Sequence, residues 1–269
     1  MWKASIRELE GALLIIDRVA LERYVASVIQ AEGGALPPAA LEAQAVVSRS
    51  YAVAQLGRHR AFDFCDLTHC QLDRAEDPLP AVQLAMKHTA GKVLREGEAT
   101  VPAFFHSACG GATSSSSDVF REGTVKGVSD LKTDGTALCA AAEGFDWQWE
   151  LKSSELERAL SLPPAGETRI LRRDAAGRAL ELVINGRKLA GPLFLADVTR
   201  RVGYQGLRSL RFSVERRGDS FLFKGRGVGH GVGFCQAGAA ALARGGKSGA
   251  EILKHYFPDA EVGYLHRPK

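Results

Sequence analysis

The stretch from Leu21 to Gly57 constrains the fold most, because it holds two breaker-bounded helical patterns in immediate succession. From Leu21, the apolar positions Leu21, Tyr24, Val25, Val28 and Ile29 follow the i, i+3, i+4, i+7, i+8 spacing of an amphipathic helix, and Gly33-Gly34 supplies its stop. Pro37-Pro38 then opens a second helix through AALEAQAVVSRSYAVAQL, where proline suits a first turn, and Gly57 closes it. PAVQLAMKHTAG predicts a third helix ending at Gly91. Beyond it the period changes. KVLREGEATVPAFFHS reads as a hairpin turning at Glu96-Gly97, and ETRILRRDAAGRALELVINGRKLAG as two β-patterned arms around a glycine-containing turn. GATSSSSD is a short polar loop, and ADVTRRVGYQGL is helical. SLRFSVERRGDSFLFKGRG is another hairpin, followed by a glycine-rich turn and the helix QAGAAALARGG. Mixed helices and antiparallel hairpins predict an α+β fold around a substrate cleft. One domain over residues 1–269 is expected, with its core at about 20–260 and either undivided or built as two intimate subdomains.

Composition narrows the function classes. With 45% hydrophobic and 25% charged residues the chain is neither disordered nor membrane-spanning, and no apolar run approaches the ~20 residues of a transmembrane helix. The formal charge of +4 is spread along the chain; it suits an anionic polymer without implying nucleic acid, and no nucleic-acid partner is expected. Near the N-terminus, ALLII is too short for a signal-peptide core, so the sequence as written carries no export signal and no transmembrane segment. Five cysteines are too few for a disulfide scaffold, and their odd number leaves at least one thiol unpaired within the chain.

Several residues carry chemical interest. Glu32 lies eleven positions from Leu21, roughly 20° of helical rotation, which puts its carboxylate at the end of the apolar stripe. The helix dipole disfavours an anion in a last turn, a local mismatch of the kind that marks functional positions. The bland alternative is a half-buried carboxylate paired with Arg49. His59, Cys65, His69 and Cys70 form H-x5-C-x3-H-C, the donor types of a structural zinc, although the spacing is not that of a standard zinc finger. A small-loop disulfide between Cys65 and Cys70, or two reduced thiols, stands as the alternative. HSAC sets His106 near Cys109, the residue types of a cysteine nucleophile and its base, but buried cysteine is far more often structural. GRGVGHGVGFCQ matches neither dinucleotide nor P-loop spacing, and its glycines instead suit a close backbone approach around His230.

Taken in order, LERYVASVIQAEGG, LEAQAVVSRSYAVAQ, FDFCDLTHCQ, FFHSACGGATS, VGHGVGFCQAGAAALARGG and ILKHYF resemble the successive signatures of the SpoIID/LytB family, that of stage II sporulation protein D and the amidase enhancers. The resemblance runs from about residue 20 to residue 260. It implies action on bacterial peptidoglycan in the cell envelope, as a lytic transglycosylase that cuts glycan strands lacking stem peptides and leaves 1,6-anhydro ends. The alternative it implies is a non-catalytic, glycan-binding enhancer of a cell-wall amidase. The family's catalytic glutamate falls on Glu32, and a zinc is carried by some members in the region matching His59 to Cys70. Gln71, Ser107, Gly110, Gly111, His230 and Gln236 match signature residues that would line the cleft, and Arg49 joins them as a substrate-binding position. Cys235 stands where the family often has serine, and its thiol is read as incidental.

Overall fold

A computed structural model describes residues 4–265 apart from 10, 68, 69, 76 and 165. The chain divides into two compact units, one of residues 1–103, 248–251 and 259–269, the other of residues 104–247 and 252–258. The fold class is α+β: among the described residues helices alternate with five small sheets, antiparallel in every strand pair but one.

The first unit opens with a hairpin of β1 (Ala4–Leu9) and β2 (Ala12–Asp17), paired from Ala4 opposite Asp17 to Leu9 opposite Ala12. Three helices follow, α1 (Leu21–Gly33), α2 (Pro38–Ala54) and α3 (Pro80–His88), with Pro38 and Pro80 in their first turns as the sequence predicts. Strands β3 (Lys92–Glu96) and β4 (Ala99–Thr100) form the expected Glu96-Gly97 hairpin, and the chain's last strand, β13 (Glu261–Tyr264), adds to the other edge of β3. The hairpin's second arm is much shorter than its composition suggests. Pro102 has no N–H for a ladder, and the Phe-rich remainder leaves to pair elsewhere.

Helix α2 is buried on nearly every side, which its many alanines permit and which forces its polar residues to find internal partners. Gln44 Nε2 donates to Ser48 Oγ at 3.0 Å, and Ser50 Oγ donates to Val46 O while accepting the Leu94 N–H at 2.8 Å. Arg49 is sealed from solvent. Its Nε and Nη2 each donate to the Glu22 carboxylate at 2.7 Å, and its Nη1 donates to the carbonyls of Ala45 and Lys92. One guanidinium thus ties α1, α2 and β3 together. Val25, Ala26 and Ile29 of α1 complete the core with Leu41 and Ala45 of α2 and Val82, Ala85 and Met86 of α3.

In the second unit β5 (Phe105–His106) is followed by the short α4 (Ser116–Val119) and then β6 (Asp146–Lys152), α5 (Ser153–Leu160), β7 (Arg169–Arg173), β8 (Ala179–Ile184), β9 (Arg187–Ala190) and α6 (Gly191–Val202). After these come β10 (Phe212–Arg217), β11 (Ser220–Arg226), β12 (Phe234–Cys235), α7 (Gln236–Arg244) and α8 (Gly249–Tyr256), whose first turn counts with the other unit. The predicted SLRF–FLFK hairpin is β10–β11, and β6 joins it as a third strand. The segment read as two arms is a three-stranded meander, because Asn185 and Gly186, at φ of 49° and 79°, make a second tight turn. The helix expected within 196–207 starts earlier, at Gly191 with Pro192 in its first turn. Phe194, Phe212, Phe221 and Phe223 pack with Trp147, Leu151, Leu182 and Val198 into this unit's core.

The Arg49–Glu22 pair makes an asymmetric prediction. Glu22→Ala strands a fully buried guanidinium and should cost about 3–5 kcal/mol, whereas Arg49→Met fills similar volume and should cost only about 1–3 kcal/mol. The Arg49→Met variant leaves a carboxylate that is 45% exposed and can rehydrate. Urea unfolding of the whole chain measures both, and equal costs would mean that burial of the cation is not what the pair supports.

Candidate functional site

The residues singled out by sequence fall into two groups, with Glu32, Arg49, Gln71 and the Cys/His loop in the first unit and Ser107, Gly110, Gly111, His230 and Gln236 in the second. Glu32 occupies the last turn of α1 and is half-buried. Its Oε1 accepts the Leu72 backbone N–H at 2.9 Å. Burial raises the pKa of this carboxyl above the ordinary glutamate value, against the opposing pull of that N–H and of the Arg74 charge. The expected alternative, a Glu32–Arg49 pair, gives way to Arg49–Glu22, ten positions earlier on the same helix. Arg49 also departs from its substrate-binding expectation, since its guanidinium is enclosed and engaged with the Glu22 carboxylate and two backbone carbonyls.

The segment after the Cys/His loop is fastened to α1 by three side chains. Ser27 Oγ donates to Asp73, Glu32 accepts from Leu72, and Gln30 Oε1 accepts the Leu79 N–H at 2.9 Å. Gln71, expected to face sugar, is instead 1% exposed; its Nε2 points to Ser48 O at 3.4 Å, and its Oε1 has no hydrogen-bond partner among the described residues. His59, Cys65 and Cys70 come together, with their ligand atoms all within 4.8 Å of one another and His59 Nε2 3.3 Å from Cys70 Sγ. Cys65 and Cys70 are reduced and not joined by a disulfide. Two sulfurs and an imidazole nitrogen so close suit a tetrahedral zinc, whose ligands sit about 3.5–3.8 Å apart given metal–ligand lengths of ~2.0–2.3 Å. The fourth expected ligand, His69, lies outside the described residues.

In the second unit Ser107 is exposed, and its carbonyl accepts the Ala237 N–H at 3.0 Å. Gly110 and Gly111 are buried, at φ of +81° and +110°, so the turn they make is closed to residues with a Cβ. Their carbonyls accept from Arg211 Nη1 at 2.6 Å and from the Asp130 N–H at 3.0 Å. They shape a loop and present no side chain to a ligand. His230 is committed at both ring nitrogens: Nδ1 accepts the Val232 N–H at 3.0 Å, and Nε2, which must then carry the proton, donates to Phe105 O at 2.8 Å. Burial holds its pKa down to about 4, against that hydrogen bond. It is a neutral brace between the glycine-rich turn and β5. Gln236, half-buried, is the first residue of α7.

His106 and Cys109 do not form a nucleophile–base pair. His106 Nδ1 lies 3.1 Å from Val232 O while its Nε2 has no partner among the described residues, and Cys109 Sγ points to Asp130 and Cys139. A cavity of about 730 Å³ in this unit is lined by Trp147, Phe212, Arg173, Arg211, Lys224 and Arg226 among others, and none of the sequence-predicted residues lines it. Asp73, Leu72, Asp130, Cys139 and Arg178 escaped the sequence reading. Their partners are distant along the chain, and no local spacing could have announced them.

Comparison with known proteins agrees with this organisation. Residues 9–95 match the family model described as Stage II sporulation protein, and residues 131–233 match one described as Domain of unknown function (DUF8618). Stage II sporulation protein D of Bacillus amyloliquefaciens is 27% identical over 92% of this chain and 75% of its own length. An uncharacterised protein of Brachyspira hyodysenteriae is 26% identical over 93% of this chain and 68% of its own. The amidase enhancer of Bacillus subtilis is 23% identical over 81% of this chain but only 37% of its own. With the sporulation model covering the helices that carry Glu32 and Arg49, and with such relatives along most of its length, the chain is similar to proteins of the SpoIID/LytB family.

Proposed function

We propose that this protein is a peptidoglycan lytic transglycosylase of the bacterial cell envelope, acting on glycan strands that lack stem peptides, with Glu32 as its single acid–base group. The observation that carries the reading is a half-buried carboxyl whose pKa is raised by desolvation, fixed by one backbone N–H at the end of an apolar helix face. Lytic transglycosylation needs one such group. As an acid it protonates the glycosidic oxygen, and the resulting carboxylate draws the proton from the C6 hydroxyl as that oxygen closes the 1,6-anhydro ring. The proton returns to the enzyme, no water is consumed, and no second carboxylate at glycosidase spacing is required. A raised pKa, which keeps the carboxyl protonated nearer neutrality, is what the first half-step demands, and the Leu72 N–H steadies the ionised form needed for the second.

His59, Cys65 and Cys70, with His69, would hold a structural zinc whose part is rigidity alone. The segment they anchor leads directly into Leu72, so bracing the loop fixes the donor that meets Glu32. The enhancer reading keeps one observation of its own, the relationship to an amidase enhancer. Under that reading the partner is a cell-wall amidase, and the glycan is gripped but left intact.

Incubation with purified stem-free glycan strands, followed by mass analysis, should yield anhydro-ended fragments. Reducing ends would indicate hydrolysis instead, and intact strands that co-sediment with the protein would favour the enhancer. Glu32→Gln should lower cleavage by roughly 10²–10⁴-fold and leave glycan binding intact; near wild-type cleavage would remove Glu32 from the mechanism.

The same substitution carries a stability signature. A raised pKa means that the folded chain holds this proton more tightly than the unfolded one, so stability falls as pH rises through the ordinary carboxylate range toward the raised value. Glu32→Gln should therefore melt no lower than wild type at pH 7, and any advantage should vanish below about pH 4, where both states of the wild type are protonated. A variant that melts well below wild type at pH 7 would contradict the desolvated carboxylate. For the loop, Cys65→Ser or Cys70→Ser should each lose about one zinc per chain and lower the melting temperature, with chelator mimicking the effect on wild type.

A further inference from the structure

Four side chains distant from Glu32 in sequence converge in the second unit. Cys109 follows β5, Asp130 and Cys139 belong to the loop before β6, and Cys235 closes β12 and caps α7. Their ligand atoms all lie within 4.8 Å of one another, and all four residues are 0–1% exposed. Cys109 Sγ stands 3.5 Å from Cys139 Sγ and 2.9 Å from Asp130 Oδ2. We infer that Cys109, Cys139, Cys235 and Asp130 form a second metal site, tetrahedral and selective for a soft divalent cation, zinc(II) above all, which fastens the signature loops of this unit.

Geometry and the surrounding hydrogen bonds both point this way. Around one zinc, with Zn–S of ~2.3 Å and Zn–O of ~2.0–2.2 Å, tetrahedral ligands stand about 3.5–3.8 Å apart; Cys109–Cys139 at 3.5 Å matches this, and Cys109–Asp130 at 2.9 Å would open slightly around an ion. A polynuclear iron–sulfur cluster spreads its ligands over several irons and does not fit so small a set. Two of the sulfurs also accept backbone amides. Cys109 N donates to Cys235 Sγ at 3.2 Å, Gly111 N to Cys109 Sγ at 3.2 Å and Gly238 N to Cys235 Sγ at 3.4 Å. Backbone amides aimed at sulfur stabilise thiolates, the form that binds metal. Asp130 is oriented like a ligand carboxylate: Oδ2 faces the sulfurs, while Oδ1 accepts from Tyr256 Oη at 2.9 Å and lies 3.1 Å from His255 Nε2. Even the residue behind it is adapted, since a Cβ on Gly238 would lie 2.5 Å from Asp130 Oδ2 and 2.2 Å from Tyr256 Oη.

Charge makes the same case. Thiols alone bury readily, but the Asp130 carboxylate sealed from water, together with the thiolates that these amides favour, is costly to bury without a cation among them. On binding, each thiol gives its proton to solvent, three per metal, and nothing is oxidised or reduced. A disulfide serves less well, because joining any two sulfurs leaves the third cysteine and the carboxylate buried beside it. The Cys109 sulfur is also turned away from His106, so the cluster is not a nucleophile's surroundings. Its consequence is mechanical: one ion would join the loop carrying Ser107, Gly110 and Gly111, the start of α7 at Gln236 and, through Asp130, the end of α8.

This site is independent of Glu32, so loss of glycan cleavage and loss of this metal are separate outcomes. The test uses the full chain purified under reducing, oxygen-free conditions in the Cys70→Ser background, which disables the first-unit set. That protein should still carry about one zinc per chain, and adding Cys139→Ser should leave roughly a tenth of it or less. Cobalt(II) added to metal-stripped Cys70→Ser protein should give a thiolate-to-cobalt charge-transfer band that Asp130→Asn weakens and Cys139→Ser abolishes. If the double variant does not fold, the cobalt spectrum of Cys70→Ser alone decides. Cys70→Ser protein without zinc, without a cobalt band and with its four remaining thiols all titratable would overturn the inference. Recovery of a disulfide among Cys109, Cys139 and Cys235 in place of metal would overturn it equally.

Discussion

A guanidinium cut off from water has to be surrounded by acceptors, and each unit of this protein is organised around one that is. In the first, Arg49 is met by the Glu22 carboxylate and by carbonyls from α2 and β3. In the second, Arg178 has no exposed surface; its Nη atoms donate to the carbonyls of Cys109 and Ala112 and to Ser114 Oγ, while its Nε finds no acceptor among the described residues. Ser114 in turn donates to Asp174, which also receives the Arg178 backbone N–H at 2.8 Å. An arginine can pin several carbonyls of an irregular loop at once, because its five donors point in fixed directions. This matters where the loops that carry the signature residues have few ladder partners: β5 and β12 pair over only two residues each. A buried cation does there what a long strand does elsewhere.

The same requirement explains why two glutamates on one helix have opposite roles. Glu22 lies in the first turn of α1, where the helix dipole favours an anion, and it meets the buried Arg49. Glu32 lies in the last turn, where the dipole opposes it, and burial raises its pKa. Pairing Arg49 with Glu22 leaves the end of the helix without that cation. Had Arg49 met Glu32 instead, the carboxyl would have been held ionised and useless as an acid at neutral pH. The choice of partner for one arginine thus keeps from Glu32 the cation that would have held it ionised.

Much of this was legible in the sequence, for a definite reason. Helices α1, α2 and α3 and the β10–β11 hairpin announce themselves through period and breakers, both local properties. The β1–β2 hairpin went unread, because ALLII attracts attention only as a short apolar run, while its pairing with SIREL depends on a turn. The Asn185-Gly186 turn was a readable signal that was passed over, and it converts two arms into three strands. Glu32 stood out because it broke a local rule. Arg49 and Gln71 were misjudged in direction, since a polar residue within an apolar stretch reads the same whether it faces a ligand or a buried acceptor. His230 failed similarly: its glycine-rich setting signals close approach, but what approaches it is the protein's own backbone.

Cysteine arithmetic shows where such reading stops. An odd count suggests a leftover thiol only if sulfurs are expected to pair with each other. Here the five cysteines sort by unit into two and three, each group is completed by a different side chain, His59 in one and Asp130 in the other, and none is bonded to another. Once nitrogen and oxygen ligands are admitted, parity carries no information. Cys235 shows this most directly. By position it looks like a serine replaced at no cost, yet its sulfur caps α7 and receives the Cys109 amide from across the fold. A serine could keep those hydrogen bonds and would be the expected residue if capping were the whole role. On the metal site inferred above, sulfur in place of oxygen becomes intelligible beside Cys109 and Cys139, because a soft donor would bind an ion that a hydroxyl would not hold.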